Sequence, residues 1–264
     1  MVRLAANLSM LFTELPFLQR FQAAASAGFK AVEWTFAFDQ PIERLRSELH
    51  DNGLALALLN TPPGNRSQGE LGLAVLPGRE ADLDRAIDQA LEQAVALEAP
   101  TIHFLAGRPP LELERSRIEA LFLNNLRRSA ARAAAVDKTL TLEPLNRLDR
   151  PGYFLNSNSE ARRLIKASGY TNVALQLDLY HCQITEGNAM PAIERYIDIV
   201  GHVQIAGVPG RHEPDVGALD YGSQLDRLDA LGYRGYVGCE YVPQGDTKAG
   251  LGWAARYLHA RVSA

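Results

Sequence analysis

Short apolar runs recur along this chain, each followed by a longer segment whose apolar residues return at helical spacing. The runs lie near 3–7, 30–33, 54–59, 101–105, 139–143, 173–178, 201–205 and 236–240. Their length suits strands. Between them, Leu83, Ile87, Ala90, Ala94 and Leu97 keep one helical stripe. Ile193, Ile197 and Val200 keep another, and Leu225 and Leu228 a third. Ser157-Asn158-Ser159-Glu160 has the form of a capping box ahead of a helix over 161–166. Glycines punctuate the pattern at Ala27-Gly28-Phe29, Asn52-Gly53, Ser168-Gly169-Tyr170 and Leu231-Gly232-Tyr233, each just before a strand. A glycine past a helix end lets the backbone turn back through positive φ. A last helix is expected near 248–262.

Strands alternating with helices imply a parallel sheet. Eight such units in 264 residues predict an α/β protein, a single (β/α)8 TIM barrel domain spanning 1–264. The rival is an open doubly wound sheet. Against it, the first strand–helix junction, Asn7-Leu8-Ser9-Met10, has no GxGxxG, and no Walker motif occurs. The connection from Thr61 to Arg79 is long, and long ordered loops are often functional.

Composition adds limits. Hydrophobic residues are 47% and charged residues 22%, as in ordinary globular proteins. Lys plus Arg number 27 and Asp plus Glu 31, and the net charge of −4 argues against nucleic acid as a partner. Cys182 and Cys239 are far apart with no CxxC pairing, so a reducing, cytoplasmic setting is expected. No run approaches the ~18 apolar residues of a membrane span, so no membrane partner is expected. Met1 to Phe12 is read as first strand and loop rather than a signal peptide. Whether the chain forms a homo-oligomer stays open, for no decisive apolar patch is visible.

In a barrel of this kind the active site lies where strands run into their following loops. The fifth strand ends Leu142-Glu143, the sixth Leu177-Asp178, and the eighth Cys239-Glu240, while the seventh carries Gln204. Four consecutive strands thus deliver oxygen-bearing side chains at one height. Three ionised carboxylates cannot share a site uncompensated. An all-oxygen set of Glu143, Asp178, Gln204 and Glu240 suits a hard divalent cation, Mg²⁺ or Mn²⁺, better than zinc. For a single acidic strand end, a helix N-cap is the commoner explanation; three on neighbouring strands favour a metal. His181, three residues after Asp178, is placed over the same mouth, as are Arg211 and Asp149 from the following loops. A cation and an extra carboxylate there suit a small polar oxyacid or sugar. His103 points either into the barrel or at the site. Glu33 is open in the same way, and Trp34 and Phe36 either wall the pocket or belong to the core. Cys239 is read as core.

Asn7 to Phe12, Pro77-Gly78-Arg79-Glu80, Glu143-Pro144-Leu145-Asn146, Gly201 to Ala206 and Gly238-Cys239-Glu240-Tyr241 together resemble the hydroxypyruvate isomerase family, which includes the 2-oxo-tetronate isomerases. This family lies among the xylose-isomerase-like TIM barrels, and the resemblance runs end to end. It implies a divalent-metal site at Glu143, Asp178, Gln204 and Glu240, with Glu143 and Glu240 as proton donor and acceptor. It also implies substrate contacts from His181, Arg211 and Asp149, where related ketose 3-epimerases place theirs. Those epimerases carry a His at the Gln204 position and a Glu at the Asp149 position, so this chain departs from them twice. The implied substrate is a small oxyacid whose carbonyl moves between adjacent carbons. Hydroxypyruvate would become tartronate semialdehyde, or 2-oxo-tetronate 3-oxo-tetronate. Arg211, Arg66 or Arg79 is expected to hold its carboxylate. The competing expectations are a ketose 3-epimerase or related sugar isomerase or dehydratase, a zinc endonuclease barrel, and a non-catalytic sugar-binding barrel.

Overall fold

Successive side chains on a strand point to opposite faces, and here that alternation separates apolar from polar residues strand by strand. The computed structural model describes residues 1–258. The elements run β1 (Arg3–Asn7), α1 (Gln19–Ser26), β2 (Ala31–Trp34), α2 (Ile42–Asp51) and β3 (Ala55–Asn60). Next come α3 (Glu80–Ala96), β4 (Thr101–His103), α4 (Arg115–Ala134), β5 (Thr139–Leu142), α5 (Asn158–Ser168) and β6 (Val173–Asp178). The chain continues with α6 (Leu179–Glu186), α7 (Ala189–Tyr196), β7 (Val200–Ile205), α8 (Tyr221–Ala230), β8 (Tyr236–Cys239) and α9 (Ala255–Leu258). All neighbouring strands pair in parallel in sequence order, and β8 returns to β1 to close the barrel. The protein is a (β/α)8 TIM barrel, and the strands lie within a residue or two of the positions expected from the pattern.

One side of each strand is apolar and faces the helices. Leu4, Val32, Trp34, Ile102, Leu140, Leu142, Leu175, Leu177, Val203, Ile205, Val237 and Cys239 join Phe21, Leu45, Leu83 and Ile118 of the helices in one core. Trp34 packs edge-on against Phe17, 6.1 Å between ring centres, and lies 5.8 Å from Phe21. It therefore belongs to the core and does not wall the mouth. Cys239 is core, as its position in the alternation requires. The other side of each strand faces the barrel axis. Low in the barrel, Ala5, Ala31 and Ala57 form a separate small cluster with Tyr236. Above them the inward positions turn polar.

Three local departures have physical reasons. Between β6 and β7 the chain makes two helices where one was expected, because Gly187 ends α6 in left-handed backbone and the Asn188 side chain caps α7. Val200 opens β7 instead of completing a helical stripe, since a single 3₁₀ turn, Ile197–Ile199, leads straight into the strand. The last helix is shorter than expected: Ala249–Ala254 is 3₁₀ and contains Gly250 and Gly252, which disfavour a regular helix. The part of that expectation beyond 258 lies outside the described residues.

The long connection after β3 is tied down. Gly72 pairs with Ala106 in an isolated antiparallel bridge. A Cβ on Gly72 would lie 2.4 Å from the Leu105 carbonyl oxygen, so this close approach needs glycine. Arg79 is spent on ion pairs to Glu70 of the same loop and to Asp82 of α3.

A candidate active site at the barrel mouth

The strand register sets the level of each functional side chain. Asp178 pairs with Gln204, and Gln204 with Gly238. Glu143 and Glu240 follow directly on Leu142 and Cys239, which end β5 and β8. Glu143, Asp178, Gln204 and Glu240 are all buried.

Asp178 both caps a helix and faces the site. No loop separates β6 from α6, so Asp178 is the N-cap, and its Oδ1 accepts from the backbone N–H of Tyr180 and His181. That fixes the carboxylate and leaves Oδ2 toward the site, 3.8 Å from His181 Nε2 and 3.6 Å from Arg211 Nη2. The cap and the site are thus two oxygens of one side chain. Glu143 Oε1 lies 3.9 Å from His181 Nε2 and is buried with no hydrogen-bond partner. Ligand atoms of Glu143, Asp178 and His181 all lie within 4.8 Å of one another, which brings the two carboxylates close enough to share one metal ion.

Hydrogen bonding refines the role of His181. Its Nδ1 receives the backbone N–H of Asn146 at 3.2 Å and lies 2.7 Å from the Asn146 side-chain amide. A neutral imidazole that accepts at Nδ1 carries its hydrogen on Nε2. Burial first, then the charge of Arg211, holds the pKa of His181 well below the ordinary range, so the ring is neutral. It therefore presents an N–H donor to the site. Asn146 is itself held by Asp149, whose Oδ2 accepts from Asn146 at 3.0 Å and from the Tyr180 hydroxyl at 2.8 Å. Although burial pushes Asp149 up, these two hydrogen bonds bring its carboxyl below the usual value.

Arg211 bridges the carboxylates. Its Nη2 donates to Glu240 Oε2 at 2.8 Å, and its guanidinium lies 5.0 Å above the Tyr180 ring. The residue sits in left-handed backbone, φ 55°, an uncommon conformation outside glycine. Backbone bonds from both sides enforce it, Arg211 N–H to Gly207 and Val242 N–H to Arg211. Arg66 instead stacks on Phe36 at 5.1 Å. His103 points inward beneath the site, its Nδ1 3.2 Å from Glu143 Oε2. Burial, then the nearby His202 and His181, lowers its pKa to about 3, so it too is neutral.

The carboxylates respond to this crowding. Burial, then the charges of Glu240 and Asp178, pushes Glu143 well above the ordinary carboxylate range. Burial likewise raises Asp178, against the pull of Arg211. Glu240 is pushed up to about 7 by burial, with Arg211 opposing. Three buried carboxylates with raised affinity for protons and an orphaned Glu143 oxygen make a site suited to a cation.

Gln204 lies deeper in the hydrogen bonding than its neighbours. Its Nε2 donates to Glu33 Oε1 at 2.8 Å, and its Oε1 accepts from Gln176 Nε2 at 2.6 Å. Sequence reasoning left Glu33 open and missed Asn146 and Arg150, whose charge reaches Glu240 and His181. A usable signal was present. Thr141, Gln176 and His202 stand two residues before Glu143, Asp178 and Gln204, so the inward faces are polar for two layers rather than one.

Known proteins of similar sequence and shape cover nearly all of the chain. A family profile described as xylose isomerase-like TIM barrel matches residues 21–258. A 2-oxo-tetronate isomerase from Cupriavidus necator is 48% identical over 98% of this chain and 99% of its own. The Escherichia coli hydroxypyruvate isomerase is 40% identical over 97% of this chain and 100% of its own. A crystal structure from Brucella melitensis, described as an AP endonuclease of family 2, superposes with a TM-score of 0.95. It is 45% identical, over 97% of this chain and 99% of that one.

Proposed function

The chain belongs to the xylose isomerase-like TIM barrel family, and from that membership we propose that it is an aldose–ketose isomerase of small oxyacids. Its full-length relatives named as 2-oxo-tetronate and hydroxypyruvate isomerases carry this reading together with one observation. Glu143 and Glu240, both buried and both with raised pKa, share the barrel mouth with the Arg211 guanidinium. Of the two reactions we take 2-oxo-tetronate to 3-oxo-tetronate as the better served, on the 48% identity.

Moving a carbonyl to the adjacent carbon removes a proton α to that carbonyl and delivers one to the neighbouring carbon. The intermediate is an enediolate. A positioned acid or base contributes about 10²–10⁴ in rate when its pKa lies near the working pH. Glu240, raised to about 7 yet held by Arg211, is the group that takes the proton. Glu143, also raised by burial and beside His103, serves the return step at the neighbouring carbon. Glu143, Asp178, Gln204 and Glu240 would hold a divalent cation, Mg²⁺ or Mn²⁺. The orphaned Glu143 oxygen and the oxygen-rich donor set fit such an ion. When bound, it supplies Lewis-acid stabilisation of the developing oxyanion.

His181, neutral and carrying its hydrogen on Nε2, donates to a substrate oxygen. Asp149 acts through it, by holding Asn146. Arg211 gives Nε and Nη2 to Glu240 and keeps Nη1 for the substrate carboxylate. Arg79 is committed to Glu70 and Asp82, so it is the weaker candidate for that task. Both cysteines are free and buried, which fits a reducing compartment such as the cytoplasm. A zinc endonuclease fits the donors less well, because this site offers mainly carboxylates and an imidazole with its hydrogen turned inward.

The test is proton NMR in D₂O on EDTA-treated protein, with 2-oxo-tetronate and with hydroxypyruvate, before and after adding Mg²⁺. The isomeric product with deuterium on the receiving carbon is expected. No product and no exchange with either acid would overturn the reading.

A further inference from the structure

Beneath the mouth the inward side chains form one continuous hydrogen-bonded row. The Thr141 hydroxyl donates to Gln176 Oε1 at 2.8 Å, and Gln176 Nε2 donates to Gln204 Oε1. Gln204 Nε2 in turn donates to Glu33 Oε1, which also receives Asn7 Nδ2 at 3.0 Å. Glu33 Oε2 lies 2.7 Å from His202 Nε2. Glu33 is fully buried. The barrel also makes room for it: a Cβ on Gly238 would lie 2.3 Å from the Glu33 carboxylate. At Gly238, β8 thus yields its inward volume to a side chain from β2.

We propose that Glu33 is a positioning residue that fixes which end of the Gln204 amide faces the cation site. This rests on the reading of Gln204 as a ligand. An amide can rotate half a turn about its last bond at almost no steric cost, since oxygen and NH₂ are nearly equal in size. Glu33 Oε1 accepts from Asn7 Nδ2 as well as from Gln204 Nε2, so it presents an acceptor to the amide. Glu33 therefore attracts the NH₂ end and repels the oxygen end. Gln176 reinforces the choice, because its NH₂ reaches the oxygen. With both partners in place the Gln204 oxygen, the only end able to ligate a cation, cannot be exchanged for a nitrogen that bears hydrogens. His202 and Asn7 hold the carboxylate still. The arrangement also explains how a neutral glutamine serves on β7 among carboxylates: its orientation is set from below, by an acceptor oxygen buried in the barrel.

Partners of this kind, one shell behind a ligand, are worth about 10–100-fold in metal affinity. Glu33→Gln keeps the size and removes the preference, because its own amide can offer either end to Gln204. Calorimetric titration of Mn²⁺ into EDTA-treated protein is the measurement, with thermal unfolding followed alongside. Glu33→Gln is expected to weaken Mn²⁺ by about 10-fold or more. The double variant Glu33→Gln with Gln204→Glu is expected to recover most of the loss, since a carboxylate at 204 has oxygen at both ends. Wild-type Mn²⁺ affinity in folded Glu33→Gln would overturn the inference alone. Failure of the double variant to recover would do the same, for a merely structural role predicts no rescue. Absence of Mn²⁺ binding by the unaltered protein would overturn the inference together with the metal reading. If Glu33→Gln does not fold, His202→Gln, which frees the far side of the carboxylate, must weaken Mn²⁺ in the same direction. Unchanged affinity there also overturns the proposal.

Discussion

At the scale of single residues, the site is a set of carboxylates whose ordinary acidity has been removed by burial. Glu143→Gln and Glu240→Gln keep volume and hydrogen bonding but cannot exchange a proton at neutral pH. Each is expected to lower turnover by about 10²–10⁴, the usual worth of a positioned acid or base. Steady-state assay of both variants checks this, and near-normal turnover in either removes that glutamate from the chemistry. Metal affinity should also depend on pH in a definite direction. A cation needs its carboxylates ionised, whereas Glu143, Asp178 and Glu240 all hold protons more tightly than usual. Binding therefore releases protons, and affinity falls as pH drops through about 7, where Glu240 titrates. Mn²⁺ titrations on either side of that pH, in buffers of different ionisation heat, measure both the affinity and the proton release. Asp178 shows why reading one residue type is ambiguous. The sequence offered helix cap or ligand, and the structure gives one oxygen to each task.

At the scale of elements, local rules were legible and mostly obeyed. Ser157 caps α5 and its hydroxyl accepts from the Glu160 backbone N–H at 3.3 Å, as the capping pattern predicts. The Glu160 side chain does not complete the box. It pairs with Arg115 at the start of α4, a partner no local motif could announce. Ser157→Ala is expected to cost about 1 kcal/mol, the typical loss of an N-cap, measured by urea unfolding. The split of α6 from α7 was also written locally, in Gly187 and Asn188, but the helical stripe around Ile193 overrode that signal. The bridge between Gly72 and Ala106, by contrast, joins two loops, and nothing in either loop alone specifies it.

At the scale of the whole molecule, the barrel is built around a polar axis that a cation would complete. In the metal-free protein the raised pKa of Glu240 means the folded chain binds more protons than the unfolded chain between about 4.5 and 7. Its contribution to stability therefore falls as pH rises through that window. A ligand that binds only the folded state adds stability, about 2.7 kcal/mol at a hundred times its Kd. Mn²⁺ at that level is expected to raise the unfolding temperature by about 5–10 °C in a chain of this size. The rise should be larger at pH 8 than at about pH 6, because the cation takes the place of the protons. Differential scanning calorimetry with EDTA and with Mn²⁺ at both pH values tests this; equal midpoints would count against a cation at these carboxylates.

What the sequence determined by itself was whatever depends on period and neighbours. The alternation of strand and helix, the glycine stops, and the inward polar ends Glu143, Asp178, Gln204 and Glu240 all follow from short-range geometry. Tertiary structure alone decided how those ends meet. The register of β7 against β6 and β8, the left-handed backbone at Arg211 and the space left by Gly238 involve residues far apart in the chain. They bring Arg211 onto Glu240 and seat Glu33 from β2 under Gln204 from β7. Side-chain direction within a strand is fixed by the residue before and after. A partner for a buried charge is fixed only once the barrel has closed.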